Sequence, residues 1–500
     1  MRFPRSCGTL VHPTSFPSRY GMGDLGREAK TFIHFLAETG QTIWQVLPLG
    51  PVGYGNSPYA SYSAFAGNHY LISPDLLVDK GLLTPEEAEG ALLPVTTQAD
   101  YDASYINKDL LYRLASERFY ANAEKEELKK LETFKRSNSY WLDDYALFIT
   151  CSGLHGRKPW NQWESGYTLR KPGVMKKLKE KHAAEIELQI WLQYEFFTQW
   201  YELKETANRL GVRIVGDIPI FVDHNSADVW ANPRYFEVDE KGNRTLVAGV
   251  PPDYFSETGQ LWGNPLYKWD VLEKDGFSWW VERFRQMFDL FDAIRVDHFR
   301  GFDAYWEVSA HEKTAIKGTW VPGPGKKLFS AIKEKLGELP IIAEDLGVMT
   351  PTVEELRDSF NFPGMKILQF AFDGDSKNSF LPHNYVQNCV VYTGTHDNDT
   401  TIGWYNSAPE IERHRAREYS QSDGREIHWD LIRLGMFSVA DQAIFPLQDF
   451  MNLDATHRMN IPGTALGNWM WRYTPEMLEN MDKDRIRAMV SLANRSGTAG

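Results

Sequence analysis

Four acidic residues follow strand-like runs at widely spaced points along this chain. They are Asp217, Asp297, Glu344 and Asp397, and the gaps between them are 80, 47 and 53 residues. Because a (β/α)₈ barrel uses about 30 residues per βα unit, and more where insertions occur, we expect these acids at the mouths of different strands of one barrel. Such barrels carry their chemistry at the carboxyl ends of the strands. The pattern therefore predicts acid/base and nucleophilic work on an uncharged substrate.

The neighbours of these acids suggest a different role for each. A lone Asp after a strand is more often a turn residue or a helix cap, so the argument depends on the joint pattern. Arg295 stands two residues before Asp297, so both side chains point to one side of the strand, and the guanidinium would keep a nucleophilic carboxylate ionised. Glu344 follows three apolar residues, and an apolar setting raises a carboxyl pKa, as a general acid requires. His396 and Asp397 close a bend of small residues, where they could grip sugar hydroxyls.

Two other kinds of chemistry are weaker matches. His298, His396 and the nearby carboxylates could ligate a divalent ion, but the sequence contains neither a His-x-His pair nor a His-Glu-x-x-His motif. It also contains no phosphate-binding Gly-x-x-x-x-Gly-Lys-Ser/Thr motif, and its one Gly-x-Gly-x-x-Gly string lacks a preceding strand. We therefore predict that the protein uses neither a metal nor an organic cofactor.

Composition argues against several classes of partner. The chain has 500 residues and a net charge of −13, which disfavours a nucleic-acid-binding surface. It has no apolar run near the roughly 18 residues that span a bilayer, and no apolar stretch of the kind found in signal peptides. Cys7, Cys151 and Cys389 are far apart and form neither a disulfide framework nor a zinc pattern. A cytoplasmic protein without nucleic-acid or membrane partners is expected.

Helix-like and strand-like patterns alternate along most of the chain. The predicted helices cover residues 27–39, 185–210, 278–290, 326–336 and 474–492. The predicted strands cover residues 42–47, 212–215, 293–296, 341–343, 366–370, 390–392 and 443–447. This alternation implies a parallel sheet with both faces covered, and so many units favour a closed (β/α)₈ TIM barrel over an open sheet.

Two segments interrupt the alternation. Residues 67–180 are rich in charged helix formers and are predicted to be a mostly helical insertion. Residues 219–275 are rich in Pro, Gly, Asn and Trp, and a long loop in a compact domain is typically functional, so we predict a lid over the active site. Residues 1–500 are therefore predicted to form a single catalytic barrel with two insertions and no carboxyl-terminal β-domain.

Longer strings of residues add a resemblance to a known family. They are LVHPTS at 10–15, WQVLPLGP at 44–51, GYGNSPY at 53–59, GVPPDYF at 249–255 and GQLWGNP at 259–265. On these strings the chain resembles the amylomaltases, the disproportionating 4-α-glucanotransferases of the α-amylase clan. The resemblance runs from about residue 5 to residue 490. It implies a barrel enzyme that transfers segments of α-1,4-glucan between maltooligosaccharides.

The resemblance also implies a role for each matching position. Asp297 would be the nucleophile, Glu344 the general acid/base and Asp397 the transition-state stabiliser. The residues implied to bind sugar in the cleavage subsite are Arg295, His298, His396 and Asp217. The residues implied to line neighbouring subsites are Ser57, Tyr59, Gln260, Trp262, Asp373 and Asn468, and Tyr54 is implied at a secondary glucan site.

Residue chemistry and resemblance agree on a retaining double displacement, for which the carboxyls of Asp297 and Glu344 should lie about 5–5.5 Å apart. Transfer to a sugar rather than to water requires loops that exclude water, and the candidate loops are residues 54–62, 250–265 and 461–464. One alternative function is that of an α-1,4-glucan hydrolase that uses the same residues. A non-catalytic glucan-binding protein is the second alternative, although it would need no paired acid and nucleophile. We expect a monomer or a weak homo-oligomer.

Overall fold

A computed structural model describes residues 3–252, 256–347 and 349–496 and, of Tyr54, the backbone alone. The strands are β1 (Ser6–Leu10), β2 (Ile43–Gln45), β3 (Arg213–Pro219), β4 (Leu246–Val250), β5 (Gln260–Pro265), β6 (Ala293–Asp297), β7 (Ala304–Ser309), β8 (Gly318–Pro322), β9 (Ile341–Ala343), β10 (Gly364–Ile367), β11 (Cys389–Tyr392) and β12 (Gln442–Pro446).

The α-helices are α1 (Arg27–Glu38), α2 (Pro74–Asp79), α3 (Pro85–Glu89), α4 (Tyr101–Asn122), α5 (Lys125–Ser137), α6 (Leu142–Leu154), α7 (Ser165–Thr168), α8 (Pro172–Lys181), α9 (Ala183–Arg209), α10 (Ala227–Ala231), α11 (Trp269–Lys274), α12 (Ser278–Leu290), α13 (Gly325–Leu336), α14 (Pro351–Ser359), α15 (Thr401–Ser407), α16 (Glu410–Ser420), α17 (Ile427–Phe437), α18 (Leu447–Phe450), α19 (Pro475–Glu479) and α20 (Lys483–Leu492). Short 3₁₀ helices cover Pro13–Ser15, Tyr54–Asn56, His69–Leu71, Trp160–Gln162, Pro233–Tyr235, Phe299–Phe302, Leu368–Phe370, Pro382–Asn384 and Ala455–His457.

Eight strands form a parallel barrel within the described residues. Their order in the sheet is β10, β11, β12, β1, β2, β3, β6, β9. The gap between the two ends is bridged where the backbone N–H of Ala343 donates to the carbonyl of Pro363 at 2.9 Å. A path around the barrel therefore meets these strands in chain order, as in a (β/α)₈ barrel, and the predicted fold class is confirmed.

The barrel strands are buried because helices cover them. Strands β1, β9, β11 and β12 are buried at every residue. Each strand that the sequence predicts has a counterpart in the barrel, although residues 366–370 are divided between β10 and a 3₁₀ helix. The prediction missed β1, whose sequence SCGTL carries a single large apolar residue. Small residues suit this strand because Gly8 lies directly against Ile43 of β2.

The predicted helix at 474–492 is wrong in one respect, because two helices occupy the segment. Helix α19 ends at Glu479, and α20 begins at Lys483. The side chain of Asp482 accepts a hydrogen bond from the backbone N–H of Arg485 at 2.9 Å and so caps α20. A capping Asp favours a new helix start over continuation of the preceding helix.

The two interrupting segments differ in secondary structure: the first is mostly helical, and the second contains strands. Helices α2 to α8 lie in or overlap residues 67–180, and α6 packs against α9 of the barrel. Residues 219–275 are more ordered than a loop-rich lid, since β4 and β5 form an antiparallel four-stranded sheet with β7 and β8. Gly259 and Gly263 have left-handed φ values of +67° and +79°, and such glycines obscure the alternation that would have revealed the strands. The predicted domain boundaries remain a prediction.

No helix in the described parts of the chain combines the length and the apolar character needed to cross a bilayer.

The close approach of β1 to β2 gives a stability prediction. A Cβ atom at position 8 would lie 1.9 Å from the backbone oxygen of Ile43, so Gly8→Ala must force the two strands apart. We expect a loss of roughly 3 kcal/mol or more in the free energy of unfolding, measured by denaturant titration. Gly153→Ala is the control, because a Cβ there meets nothing within 4 Å and the site is helical. That control should be neutral or stabilising, by about 0.5–1 kcal/mol, and equal stability of the two variants would contradict the packing argument.

Candidate active site

The acidic residues singled out by the sequence lie at one end of the barrel. Asp297 is the last residue of β6, and Glu344 follows β9 directly. Asp397 lies five residues beyond the end of β11, and Asp217 lies within β3. Since all eight barrel strands are parallel, their carboxyl ends meet at the same mouth.

Arg295 links two of these acids. Its Nη1 donates to Asp217 Oδ2 at 2.6 Å, and its Nη2 donates to Asp297 Oδ1 at 2.7 Å. The hydroxyl of Tyr59 donates to the same Asp217 oxygen at 2.7 Å. Burial opposes the charge on Arg295, but Asp217 and Asp297 outweigh it and hold the Arg295 pKa well above its usual value. The guanidinium is therefore a permanent positive charge between two carboxyl groups.

Glu344 is held against the backbone that follows Asp297. Its Oε2 accepts from the N–H of His298 at 2.7 Å, and its Oε1 accepts from the N–H of Leu346 at 2.8 Å. Burial and the negative charge of Asp297 raise the pKa of Glu344 to about 7, while Arg295 opposes the rise. Glu344 can therefore exchange a proton near neutral pH, as a general acid and base must.

His298 adopts a backbone conformation that L-residues rarely take. Its φ of 50° and ψ of 49° lie in the left-handed region, directly after β6. This turn aims its N–H at the Glu344 carboxyl. Burial lowers the pKa of the His298 ring to about 4, so the ring is neutral at neutral pH. Strain of this kind is typical of functional sites.

Asp397 is surrounded by polar and aromatic partners. Its Oδ1 accepts from Asn460 Nδ2 at 2.6 Å and lies 3.4 Å from His396 Nε2. The rings of His396 and Tyr59 stack with centroids 5.2 Å apart and an interplanar angle of 16°. Trp469 packs on the same pair, with its centroid 5.9 Å from each. These contacts connect Asp397 to Tyr59 and so to Asp217.

A cleft of about 1070 Å³, counting its open mouth, adjoins these residues. Its lining includes the predicted site residues Ser57, Tyr59, Trp262, Asp297, His298, His396 and Asp397. Trp262 comes from β5, is 38% exposed, and meets His298 edge-on with centroids 4.7 Å apart. Gln260 lies beside it, since its Oε1 accepts from the Trp262 indole N–H at 3.1 Å. The antiparallel sheet thus contributes an aromatic side chain to the cleft that Asp297 and Asp397 also line.

Seven predicted residues are not among this cleft lining. Asp217, Arg295, Glu344 and Gln260 are hydrogen-bonded to residues that line it. For Asp373, Asn468 and the described backbone of Tyr54 the structure shows no such bond. Asp373 is exposed and accepts from Asn378 at 2.8 Å. The Asn468 amide is engaged within its own loop, because it accepts from the Ile461 N–H and donates to Thr464. The side chain of Tyr54 lies outside the described residues, as do residues 253–255 of the predicted 250–265 loop. The roles of these residues remain predictions.

The sequence analysis missed several residues that line the cleft. They include His224, Arg244, Asn460 and Trp469, whereas Asn264 lies in the candidate loop at 250–265. Asn460 directly precedes the candidate loop at 461–464, and Trp469 directly follows a Gly-Asn pair, so position in a Gly-rich loop was an available signal. For His224 and Arg244 no such signal exists, because isolated polar residues in a loop-rich segment are typical of ordinary surface.

Comparison with known proteins gives matches along nearly the whole chain. A family model described as 4-alpha-glucanotransferase matches residues 11–478. The 4-alpha-glucanotransferase of Thermus thermophilus is 49% identical over 505 residues, covering 99% of this chain and 100% of that protein. The 4-alpha-glucanotransferase of Synechocystis sp. is 49% identical over 495 residues, covering 98% of each.

Solved structures give the same picture. The amylomaltase from Streptococcus agalactiae in complex with acarbose matches with a TM-score of 0.95 at 37% identity, covering 98% of this chain and 99% of that one. The amylomaltase from Corynebacterium glutamicum is 18% identical, has a TM-score of 0.78 and covers 99% of this chain and 75% of that one, and it shows the shared fold.

The contact between Asn460 and Asp397 yields a prediction. Asn460→Ala removes the donor that orients the carboxylate, so turnover of maltotriose should fall by about tenfold or more while its KM changes less. Asn460→Asp should cost more, because it sets a second carboxylate against Asp397. Steady-state kinetics of both variants, with thermal melts to establish folding, test this. Turnover at the wild-type level in a folded Asn460→Asp variant would show that the contact does not orient Asp397.

Proposed function

The chain belongs to the 4-alpha-glucanotransferase family, and from this premise we propose that Asp297, Glu344 and Asp397 transfer α-1,4-glucan segments by a retaining double displacement. One observation carries the proposal. The Glu344 carboxyl is hydrogen-bonded to the backbone N–H of His298, the residue after Asp297, while Arg295 is paired with Asp297 itself. The Glu344 carboxyl is thereby held against the residue next to Asp297, which supports roles for both carboxyl groups in one reaction.

In the first step, an Asp297 oxygen attacks the anomeric carbon of the donor sugar. The bond from that carbon to the glycosidic oxygen breaks, and Glu344 gives its proton to this oxygen, which leaves as the 4-hydroxyl of the departing chain. The products are a covalent glucosyl ester on Asp297 and an ionised Glu344. Arg295 Nη2 donates to Asp297 Oδ1 at 2.7 Å and so orients the attacking carboxyl group.

In the second step, Glu344 takes the proton from the 4-hydroxyl of an acceptor sugar. The acceptor oxygen bonds to the anomeric carbon, and the ester to Asp297 breaks. Two inversions give net retention, and Glu344 ends the cycle protonated as it began. With a pKa of about 7, Glu344 is partly protonated and partly ionised at neutral pH. The same group can therefore act as the acid of the first step and as the base of the second.

Asp397 and Asp217 are proposed to hold the sugar ring. Both described contacts of the Asp397 carboxylate, with Asn460 and His396, fall on Oδ1, so Oδ2 is proposed to accept a ring hydroxyl. Asp217 Oδ1 is buried without a hydrogen-bond partner among the described residues, and a sugar hydroxyl would satisfy it. Bonds of this kind that shorten as the ring flattens stabilise the transition state more than the ground state.

Transfer of glucan segments is the activity of the family, and the comparisons do not favour the hydrolase alternative. The paired acids likewise set aside a non-catalytic binding protein. Retention of the acceptor is proposed to depend on Trp262 at the cleft mouth and on the candidate loops at 54–62, 250–265 and 461–464, which would exclude water.

We also propose that the protein works in the cytoplasm on maltooligosaccharides, as a monomer or weak homo-oligomer. Support for a reducing compartment comes from the three cysteines, which are buried and free. Burial raises the pKa of the Cys7 thiol to about 12, so this thiol is protonated and inert at neutral pH.

Incubation with maltotriose tests the activity and the acid together. The wild-type protein should produce glucose and a ladder of longer oligomers, resolved by chromatography, whereas a hydrolase would give maltose and glucose without elongation. Glu344→Gln should lower turnover by about 10²–10⁴-fold, because the proton donor is lost, and should still bind maltotriose. Glu334→Gln on the exposed face of α13 is the matched control and should behave as wild type. Normal turnover by Glu344→Gln would remove Glu344 from its role.

The raised pKa of Glu344 predicts a pH dependence. The first step needs the protonated carboxyl, so kcat/KM for maltotriose should be independent of this group below pH 7 and should fall about tenfold per pH unit well above it. The measurement is a profile of kcat/KM between pH 5 and pH 9 at about 0.1 M salt, with circular dichroism to verify that the fold persists. An alkaline limb near the ordinary glutamate value, or none at all, would contradict the assignment.

A further inference from the structure

The loop that carries His396 and Asp397 is attached at both of its ends to one buried carboxyl group. The loop runs from Thr393, directly after β11, to Thr401, the first residue of α15, and we call it the Asp397 loop. The carboxyl group belongs to Asp449 of α18, which directly follows β12, the neighbour of β11 in the sheet. Asp449 is 1% exposed, so it lies in the interior beside the Asp397 loop.

Three hydrogen bonds connect Asp449 to the Asp397 loop. Its Oδ2 accepts from the hydroxyl of Thr393 and, at 2.8 Å, from the hydroxyl of Thr401. Its Oδ1 accepts from the backbone N–H of Thr401 at 2.7 Å. Because both hydroxyls donate to one oxygen atom, they lie within about 6 Å of each other. A single carboxyl group therefore sets the distance between the two ends of the Asp397 loop.

Hydrogen bonds within the Asp397 loop connect its ends to its centre. Asn398 Oδ1 accepts from the backbone N–H of Thr395 at 2.8 Å and from the Thr395 hydroxyl at 2.9 Å. The same hydroxyl accepts from the backbone N–H of Asp397 at 3.3 Å. These bonds make the loop a compact unit, so a displacement of its ends is transmitted to Asp397.

The contact with Asp449 is made entirely by buried groups. Burial raises the pKa of the Asp449 carboxyl group, and the hydrogen bonds from Thr393 and Thr401 oppose the rise. Both threonines are 0% exposed, so their hydroxyls have no access to water as an alternative partner. Burying polar groups costs free energy unless they are hydrogen-bonded to each other. The three side chains are therefore held in one arrangement, and the removal of either partner leaves a buried polar group with fewer hydrogen bonds.

We propose that Asp449 is a positioning residue for the transfer reaction, because it fixes the Asp397 loop at both ends. Asp449 is not one of the described residues that line the cleft, so it acts on the sugar only through His396 and Asp397, which do. The inference rests on the proposed function, in which Asp397 holds the sugar ring more tightly in the transition state. A displacement of about 1 Å in such a group lowers turnover by as much as about 10²-fold.

Substitutions at Thr393 test the proposal with little change in side-chain volume. Thr393→Val removes the hydroxyl that Asp449 accepts, whereas Thr393→Ser keeps it. In steady-state kinetics of maltotriose transfer, kcat of Thr393→Val should fall about tenfold or more while KM stays within about threefold. Thr393→Ser should restore kcat to within about threefold of the wild type.

Asp449→Asn tests the acceptor in the same assay. The amide replaces one of the two accepting oxygens with a donor, so the three hydrogen bonds to the Asp397 loop cannot all persist. We expect kcat to fall at least as far as in Thr393→Val, again with little change in KM.

Thr39→Val is the matched control for Thr393→Val. The Thr39 hydroxyl is also 0% exposed, and it donates to the carbonyl of Phe35 at 2.9 Å. Thr39 lies between α1 and β2, at the amino ends of the barrel strands and so opposite the mouth. Its substitution should lower the melting temperature, as Thr393→Val does, but leave kcat within about twofold of the wild type.

Thermal melts verify that each variant is folded, and the Thr393 pair decides the question if Asp449→Asn does not fold. Wild-type kcat in folded Thr393→Val, equal losses in the Val and Ser variants, or a rise in KM alone would each overturn the positioning role. An equal loss of kcat in Thr39→Val would overturn it too, because turnover would then follow general stability. Absence of transfer in the wild type would instead contradict the proposed function.

Discussion

The buried guanidinium of Arg295 is the interaction on which the rest of the site depends. Without it, Asp217 and Asp297 would have no cation between them, and the buried carboxyl group of Asp217 would have no charge partner. Arg295 itself can be buried only because two carboxylates compensate its lost hydration. The three residues therefore form a unit in which each member permits the burial of the others.

Barrel geometry brings Glu344 close to the strand that carries Asp297. Strands β6 and β9 are neighbours in the sheet, so Asp297 and Glu344 come from adjacent positions at the barrel mouth. The carboxyl separation of about 5–5.5 Å remains a prediction. The left-handed turn at His298 then directs a backbone N–H to Glu344. Because the contact uses main-chain atoms, the position of the acid is fixed by the fold rather than by a flexible side chain.

The elements outside the barrel determine what the acids can act on. The small antiparallel sheet contributes Trp262 to the cleft, and Asn460 contacts Asp397 from the segment that follows β12. The segment from Tyr59 to Ala64 contacts Asp217 at one end and Asp228 at the other. A barrel with the same acids but different inserted segments would contact the sugar through different residues. Substrate specificity therefore depends mainly on these segments.

The sequence by itself determined the barrel and the acids at its strand ends. Alternating helices and apolar strands have a local signal, and so does an acid that directly follows a buried run, as at Asp297 and Glu344. Only the tertiary structure decided that Arg295, which the sequence already places beside Asp297, also pairs with Asp217, that Asn460 contacts Asp397, and that β4 pairs with β7. These pairings join residues tens of residues apart, and each depends on chain packing that leaves no periodic or compositional trace.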